Sequence, residues 1–431
     1  MKVVGIVTEY NPFHQGHAYQ IQKARERFGD DAAIIVVMSG NFVQRGEPAI
    51  AGKWARTQAA LSCGVDLVIE IPFTFACASA ERFAYGAISL LKATGLVSDL
   101  YFGSECTDLP LLTTLADVLH EENPDYIALL KANLGEGLSY AKARELAVTS
   151  YLNSLGKPEL ASQCESVLKM PNTILAIEYL IALKKTGSKI RPAVLLREGA
   201  GYHDSSLEST NASASAIRNT VTNASRAGLC NVSYLADQLA GKMPAESLAP
   251  MLAEWSAGIR PVLSADFLPE TILALRTHMV AQLDEIAYMG DQVSHRLKNA
   301  VDGLRSASRQ DLPDAFRDLA ETKRYAGTRL SRAMVSLLCG QTAADLVTLA
   351  SPEYLRILGF SERGRYLLRL MRKTAALPQI DKASDFLEHG ANEKLTRMAG
   401  LDLLSCDLWG LKAGYKYGDE YERAVIRVKR K

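Results

Sequence analysis

The stretch TEYNPFHQGHAYQI, residues 8–21, sets His14 and His17 around Gly16, a few residues after the apolar run VVGIV. The run reads as a β-strand, and the residues from Gln20 and Ile21 onward read as a helix. The two imidazoles therefore fall on the turn between them. Gly16 lets backbone approach a ligand closely, and the helix N-terminus offers unpaired N–H groups and the positive end of a dipole to an anion. Imidazoles added there can donate hydrogen bonds to phosphate oxygens and to charge developing in a transition state. The dipole alone supplies about 0.3–1 kcal/mol in exposed settings, so the imidazoles must carry most of that stabilisation. A second stretch, TNASASAIRNTV (210–221), opens a helix with Ser213 and Ser215 and places Arg218 one turn on. Hydroxyls and free N–H groups suit phosphate, and a guanidinium presents a planar fork to the same oxygens. Taken singly, the histidine turn reads more readily as capping or packing, and the serine stretch as a well-capped surface helix.

The elements that must position these residues are legible as alternating patterns. Apolar runs at 2–8, 32–38, 66–71 and 99–103 alternate with helical stretches at 18–28, 51–63 and 80–95. Such alternation predicts an α/β fold with a doubly wound parallel sheet. In that fold ligands bind at the carboxyl ends of strands, where the winding reverses, and the histidine turn lies at such an end. A further strand-like run, IRPAVLLRE (190–198), comes after a mostly helical interval, so residues 106–170 read as a helical insertion. PNTILAIEYLIALKK reads as a helix with Pro171 in its first turn. Beyond about residue 258 the strand-like runs give way to helical periodicity. The expectation is a catalytic domain over 1–258, joined near SAGIRPVL to an all-α domain over 259–431.

The chain has 431 residues, 48% of them hydrophobic and 23% charged, enough to bury a sizeable core divided over two or three domains. No basic-then-apolar leader comes after Met1 and no run reaches membrane-spanning length, so the chain is expected in the cytoplasm. Cysteines 63, 77, 106, 164, 230, 339 and 406 form no C-x-x-C pair and read as buried small hydrophobes rather than disulfides or zinc ligands. With a formal net charge of +1, no protein-wide field attracts a polyanion, and any nucleic acid must be held by local patches. Three clusters are candidates. In ETKRYAGTRLSR, Tyr325, Arg329 and Arg332 fall at i, i+4 and i+7 of a helix. In ERGRYLLRLMRK, Arg365, Arg369 and Arg372 share a face, and RAVIRVKRK closes the chain. Such stripes grip RNA phosphates, with the Tyr325 ring free to stack on an unpaired base; any one alone is an ordinary solvated face. The stretch 38–56 adds Gln44, Arg45, Lys53 and Arg56, the last two sharing a helix face that borders the ligand edge. Glu70 ends the third strand, where it serves either an ordering hydrogen bond or a magnesium ion. The Walker A and G-x-S-x-G patterns are absent, which argues against a P-loop ATPase and an acyl-enzyme route.

An H-x-G-H turn after the first strand, with S-x-S-x-x-R opening a helix after the last, resembles the HIGH-motif superfamily of nucleotidyltransferases and class I aminoacyl-tRNA synthetases. EYNPFHQGH, MSGNFVQRGEPAI, KWAR, GVDLVIEIP, FGSE, PNTILAIEYL, GAGYHD and ASASAIR together resemble the tRNA(Met) cytidine acetate ligase family, and the likeness recurs in ETKRYAGTRLSR and YLRILGF. That resemblance implies an enzyme that makes acetyl-adenylate from ATP and acetate, releases pyrophosphate, and acetylates the wobble cytidine of elongator tRNA(Met) to N(4)-acetylcytidine. It further implies that Val7, Thr8, Glu9, Tyr10, Asn11, Pro12, Phe13, His14, Gln15, Gly16, His17, Ala18, Tyr19 and Gln20 cradle ATP. His14 and His17 then face the phosphates with Ser213, Ser215 and Arg218, and Gly103, Asn172, Arg197 and Glu198 complete the nucleotide site. Magnesium is expected with ATP, and no obligate protein partner is implied. ASASAIR lacks the lysine of the equivalent class I synthetase loop, which leaves Arg218 to meet the phosphates. His14, His17, Glu9 and a phosphate oxygen of the adenylate all remain candidates for the base in acetyl transfer. The alternatives are a nucleotidyltransferase acting on a small phosphorylated acceptor and a non-catalytic tRNA-binding protein.

Overall fold

In the computed structural model of the chain, which describes residues 1–121, 123–197, 213–306, 308, 311–389 and 391–429, the predicted strands all form. β1 (Val3–Thr8), β2 (Ala33–Ser39), β3 (Leu67–Ile71), β4 (Asp99–Ser104) and β5 (Arg191–Leu196) run parallel in the order β5-β4-β1-β2-β3. β2 and β3 are buried along their whole length, in keeping with their nearly continuous apolar runs, which only Ser39 and Glu70 interrupt. The chain winds outward from β1 to β3, returns to lay β4 on the other side of β1, and moves out again to β5. The winding therefore reverses between β1 and β4, and a crevice opens at their carboxyl ends.

α1 (Gln15–Phe28), α2 (Lys53–Ser62) and the helix Ala80–Ala93 make the first crossovers. The insertion folds as four helices, Leu109–Glu121, Pro124–Gly135, Tyr140–Ser154 and Pro158–Val167, before the helix Pro171–Lys185 leads back to β5. Among the described residues no single helix is long and apolar enough to cross a membrane.

The expectation of an all-α region after residue 258 is corrected. That region is mostly helical, but β6 (Leu355–Ser361) pairs antiparallel with β3, and β7 (Gln379–Ile380) and β8 (Ile426–Val428) pair parallel with β6. The seven residues LRILGFS lead straight into the helix Glu362–Thr374, whose stronger periodicity masks them, and a short apolar run cannot be told from buried helix by period alone. β6 covers the edge of β3, which would otherwise stand open for pairing with another chain. Ile357, Met398 and Trp409 join Ile35 and Ile69 in the main core, so the core does not divide at residue 258. Residues between Leu268 and Leu337, with Leu275, Leu297 and Phe316 among them, form a smaller core of their own. The expectation that every cysteine is buried also needs correction, because Cys230 is exposed and Cys63 and Cys106 are only half-buried.

Candidate active site

At the end of β1 the chain turns through Tyr10, held at φ +47°, and His14 becomes the N-cap of α1. His14 Nδ1 accepts the Gly16 N–H at 3.0 Å, and His17 Nδ1 accepts the His14 N–H at 3.2 Å. The pair is a capping box built from two imidazoles. Because each Nδ1 is an acceptor, each neutral ring carries its proton on Nε2. The site thus holds two N–H donors whose ring centroids lie 4.0 Å apart. Burial, with the charges of Arg197 and Arg218, pushes the His14 pKa down to about 3. Burial, His14 and Arg197 hold that of His17 well below its ordinary value. Both rings are neutral at physiological pH. Gly16 has a packing reason as well, since a Cβ there would stand 2.8 Å from His14 Cε1.

Arg218 reaches this turn from far along the chain. Ser213 caps the helix Ala214–Arg226 by accepting the Ala216 N–H at 3.1 Å, and one turn later Arg218 donates from Nη1 to the Asn11 carbonyl at 2.9 Å and from Nη2 to Ser215 Oγ at 3.2 Å. Asn11 itself takes the Ile50 N–H on Oδ1, while its buried Nδ2 has no partner among the described residues. Asn172, in the first turn of the helix Pro171–Lys185, donates Nδ2 to Glu105 Oε1 at 2.6 Å, and Thr173 donates N–H and Oγ1 to Glu105 Oε2, both at 2.8 Å. Burial raises the Glu105 pKa, but these donors outweigh it and hold the carboxylate below its usual range. The Oδ1 of Asn172 and the second hydrogen of its Nδ2 are then left for a ligand. Gly103 makes room first for Arg197, whose Cγ would stand 3.0 Å from an added Cβ.

These residues enclose a cavity of about 400 Å³, within the range of small-molecule sites. Val7, Thr8, Glu9, Tyr10 and Asn11 line it from β1 and the turn, and His14, Gly16, His17, Tyr19 and Gln20 from α1 and its cap. Gly103, Asn172 and Arg197 border one side, and Ser213, Ser215 and Arg218 the other. First turns of three helices face the same space, as an anion site requires. Pro12, Phe13, Gln15 and Ala18 do not line it; Phe13 is buried against Tyr10, their ring centroids 4.7 Å apart. Glu198 lies outside the described residues. Sequence reasoning missed the apolar wall of Phe83, Phe102, Leu175 and Tyr179, and also Glu47 and Glu105. Aromatic and aliphatic residues at helix or strand spacing look like core, so little in the sequence marks that wall.

The 38–56 stretch borders the cavity as expected, through Val43, Arg45 and Glu47, but its helix differs from expectation. Lys53 and Arg56 do not share an open face; both are buried. Lys53 Nζ is held by Glu70 at 2.9 and 2.8 Å and by Glu420 at 2.8 Å, so Glu70 serves to order Lys53. Arg56 donates to the carbonyls of Ala51 (3.0 Å), Glu9 (2.7 Å), Ser39 (3.0 Å) and Gly40, and burial pushes its pKa down to about 10. It is a brace under the cavity floor. The Gln44 N–H meets Glu9 Oε1 at 2.9 Å, and burial raises the Glu9 pKa. Among the described residues no group of three or more His, Cys, Asp or Glu side chains is arranged to hold a metal ion.

Of the RNA candidates, Tyr325 is corrected: it precedes the helix Gly327–Leu338, packs in the smaller core, and spends its hydroxyl on the Asp291 carbonyl at 3.0 Å. Its ring is not open to a base. Arg329 pairs with Asp291 at 2.8 Å, and Arg332 donates to the Gln44 carbonyl at 3.2 Å. Arg365, Arg369 and Arg372 are exposed as expected. Their helix, however, lies beneath the amino ends of the strands: Arg363 donates to the Ala32 carbonyl ahead of β2 at 3.1 Å, and Thr374 to the Thr94 carbonyl ahead of β4 at 2.9 Å. The length of a six-residue strand, ~20 Å, separates that edge from the cavity.

Comparison with known proteins places this geometry in context. The HIGH Nucleotidyl Transferase family model matches residues 1–420. The tRNA(Met) cytidine acetate ligase of Acetivibrio thermocellus is 38% identical over 437 residues, covering 99% of this chain and 100% of that one. The protein of the same name from Thermoanaerobacter sp. (strain X514) is 38% identical over 411 residues, 95% of each chain. Crystal structures of Thermotoga maritima TmcAL, apo and bound with alpha-thio ATP, match with TM-scores of 0.90 and 0.87 at 30% identity, each over 100% of both chains.

Proposed function

The chain belongs to the tRNA(Met) cytidine acetate ligase family of HIGH nucleotidyl transferases, and from that premise we propose that it activates acetate with ATP and acetylates the N(4) amine of the wobble cytidine of elongator tRNA(Met). The observation that carries the reading is Arg218 bonded to the backbone of the histidine turn, on the wall of the cavity that His14 and His17 line.

In the first step an acetate oxygen attacks the α-phosphorus, and the bond to the bridging oxygen breaks as pyrophosphate leaves. Charge grows on the phosphate oxygens, and the Nε2–H groups of His14 and His17, the Arg218 fork and the helix N-termini are set in advance to receive it. Neutral imidazoles give up no proton in doing so. The apolar wall of Phe102, Leu175 and Tyr179 suits the adenine ring, and the free Oδ1 of Asn172 suits an amino group. In the second step the cytidine amine attacks the acetyl carbonyl carbon, the C–O bond to phosphate breaks, and AMP leaves. The amine proton needs an acceptor. With both histidine Nδ1 atoms engaged and both Nε2 atoms protonated, Glu9 and the phosphate of the departing AMP are the acceptors left from the four candidates.

Magnesium enters this reading with the triphosphate. Residues 1–258 carry the nucleotide chemistry, and Arg365, Arg369 and Arg372 hold RNA phosphates at a distance from the reacting base. The test is purified protein with ATP, labelled acetate and either tRNA(Met) or small phosphorylated acceptors. Acetate-dependent pyrophosphate exchange with label entering the tRNA is expected. Nucleotide transfer to a small acceptor, or no turnover at all, would replace this reading.

A further inference from the structure

Two substrates that react at one acyl phosphate need compartments that meet at the phosphate end of the nucleotide site. In the nucleotide cavity that end is marked by the histidine turn, Ser215 and Arg218, and the other end by the aromatic wall. A second cavity of about 570 Å³ opens on the far side of Arg218 and shares Glu47, Ser215 and Arg218 with the first. It has the volume of a small-ligand site. It lies between the helix Ala214–Arg226 and the smaller core, with Phe267, Phe316, Leu330 and Met334 among its apolar walls and Asn219 and Thr222 on its polar side. Arg226 and Arg317 also line it, their side chains 56% and 55% exposed, and both contact Asp314, at 3.3 and 2.9 Å.

We propose that this second cavity receives the acceptor nucleotide, an unpaired pyrimidine swung out of a single-stranded RNA loop, and that Arg218 stands on the boundary between acyl donor and acceptor. The proposal rests on the ligase reading and adds the acceptor's place to it. Position argues for it first: a pyrimidine entering there reaches the acyl phosphate past Arg218, without crossing the space that holds adenine. Chemistry argues for it second. Single-stranded bases are bound by apolar and aromatic surface with a few polar edges, and their phosphates by arginines at the entrance, which is the make-up of these walls. The smaller core then has a role that Tyr325 stacking does not supply, because it forms the far wall of the acceptor chamber.

A direct test is photo-cross-linking of a tRNA(Met) anticodon stem-loop carrying 5-iodocytidine at the wobble position, with peptide mapping of the adducts. Adducts on peptides spanning Asn219–Arg226, Phe267–Thr271 or Leu330–Leu338 are expected; adducts found only elsewhere overturn the proposal. The cross-link needs no turnover, so it decides the cavity's occupant even if acetate-dependent exchange is absent and the ligase reading falls. A second measurement fills the chamber with Thr222→Trp. The ratio of RNA acetylation to pyrophosphate exchange is expected to fall at least tenfold in that variant. A ratio equal to that of the parent protein would sink the idea.

Discussion

At the scale of single residues, the two histidines act through hydrogen bonds they already make. Each Nδ1 is spent on a backbone N–H, so each Nε2 is a donor, and the depressed pKa values keep both rings neutral. Replacing His14 or His17 with Asn removes a donor from the phosphate end. Each variant is expected to lose about 10²–10³ in acetate-dependent pyrophosphate exchange, read by steady-state rates. The same depression makes a stability prediction. An unfolded histidine takes up its proton near pH 6.5 while the folded His14 resists until about 3, so the unfolded state binds more protons throughout that window. Stability from these groups is full above the unfolded value and declines as pH falls below it. Thermal melts of the parent protein should drop from pH 7 to pH 4 more steeply than those of a His17→Gln variant; parallel slopes would contradict the assignment. The motif itself is plain in the sequence. Its tautomers are not, because they depend on which backbone groups the turn presents.

Among elements, the contrast between Arg218 and Arg56 is instructive. Arg218 comes after Ser213 and Ser215 in a helix start, and the fold places it where the motif predicts. Arg56 lies one turn from Lys53 in a helix that reads as amphipathic, yet α2 is covered on that face by the 40–52 loop and the C-terminal residues. Its guanidinium donates to four carbonyls at once. Arg56→Met takes that donor away from those carbonyls, and a loss of about 3–5 kcal/mol in urea unfolding is expected. A change below about 1 kcal/mol would mean the brace is dispensable. No period in the sequence separates the two cases, since a solvated cation and a buried one occupy the same helical positions until something packs over them.

For the molecule as a whole, the late strands matter most. β6 closes the β3 edge and Trp409 fills the main core, donating to the Ala49 carbonyl at 2.8 Å. A chain cut after residue 258 is therefore expected to lose cooperative unfolding and resist proteolysis poorly, as circular dichroism and limited digestion would report; a stable, cooperative fragment would restore the division at that residue. The arginine face under the sheet makes a separate prediction. If Arg365, Arg369 and Arg372 each hold a phosphate, changing all three to Gln reduces the slope of log affinity for tRNA(Met) against log salt by about 2–3. An unchanged slope would leave that face an ordinary solvated one.

Local patterns in the chain suffice for five parallel strands from apolar runs, the histidine turn at a strand's carboxyl end, the serine-capped helix carrying Arg218, and the family to which these motifs belong. Each of those is a short-range pattern, set by residues within a few turns of one another. Packing between segments settles the rest: that residues 355–361 return as a strand beside β3, that Lys53 and Arg56 are buried, that Tyr325 is sealed into a core, and that the arginine helix lies at the sheet's opposite edge. A residue's type and spacing fix its intrinsic preferences, but burial is assigned by whichever segment comes to cover it, and that segment lies from tens of residues away, as for Arg56 and Tyr325, to hundreds, as for Lys53 and β3.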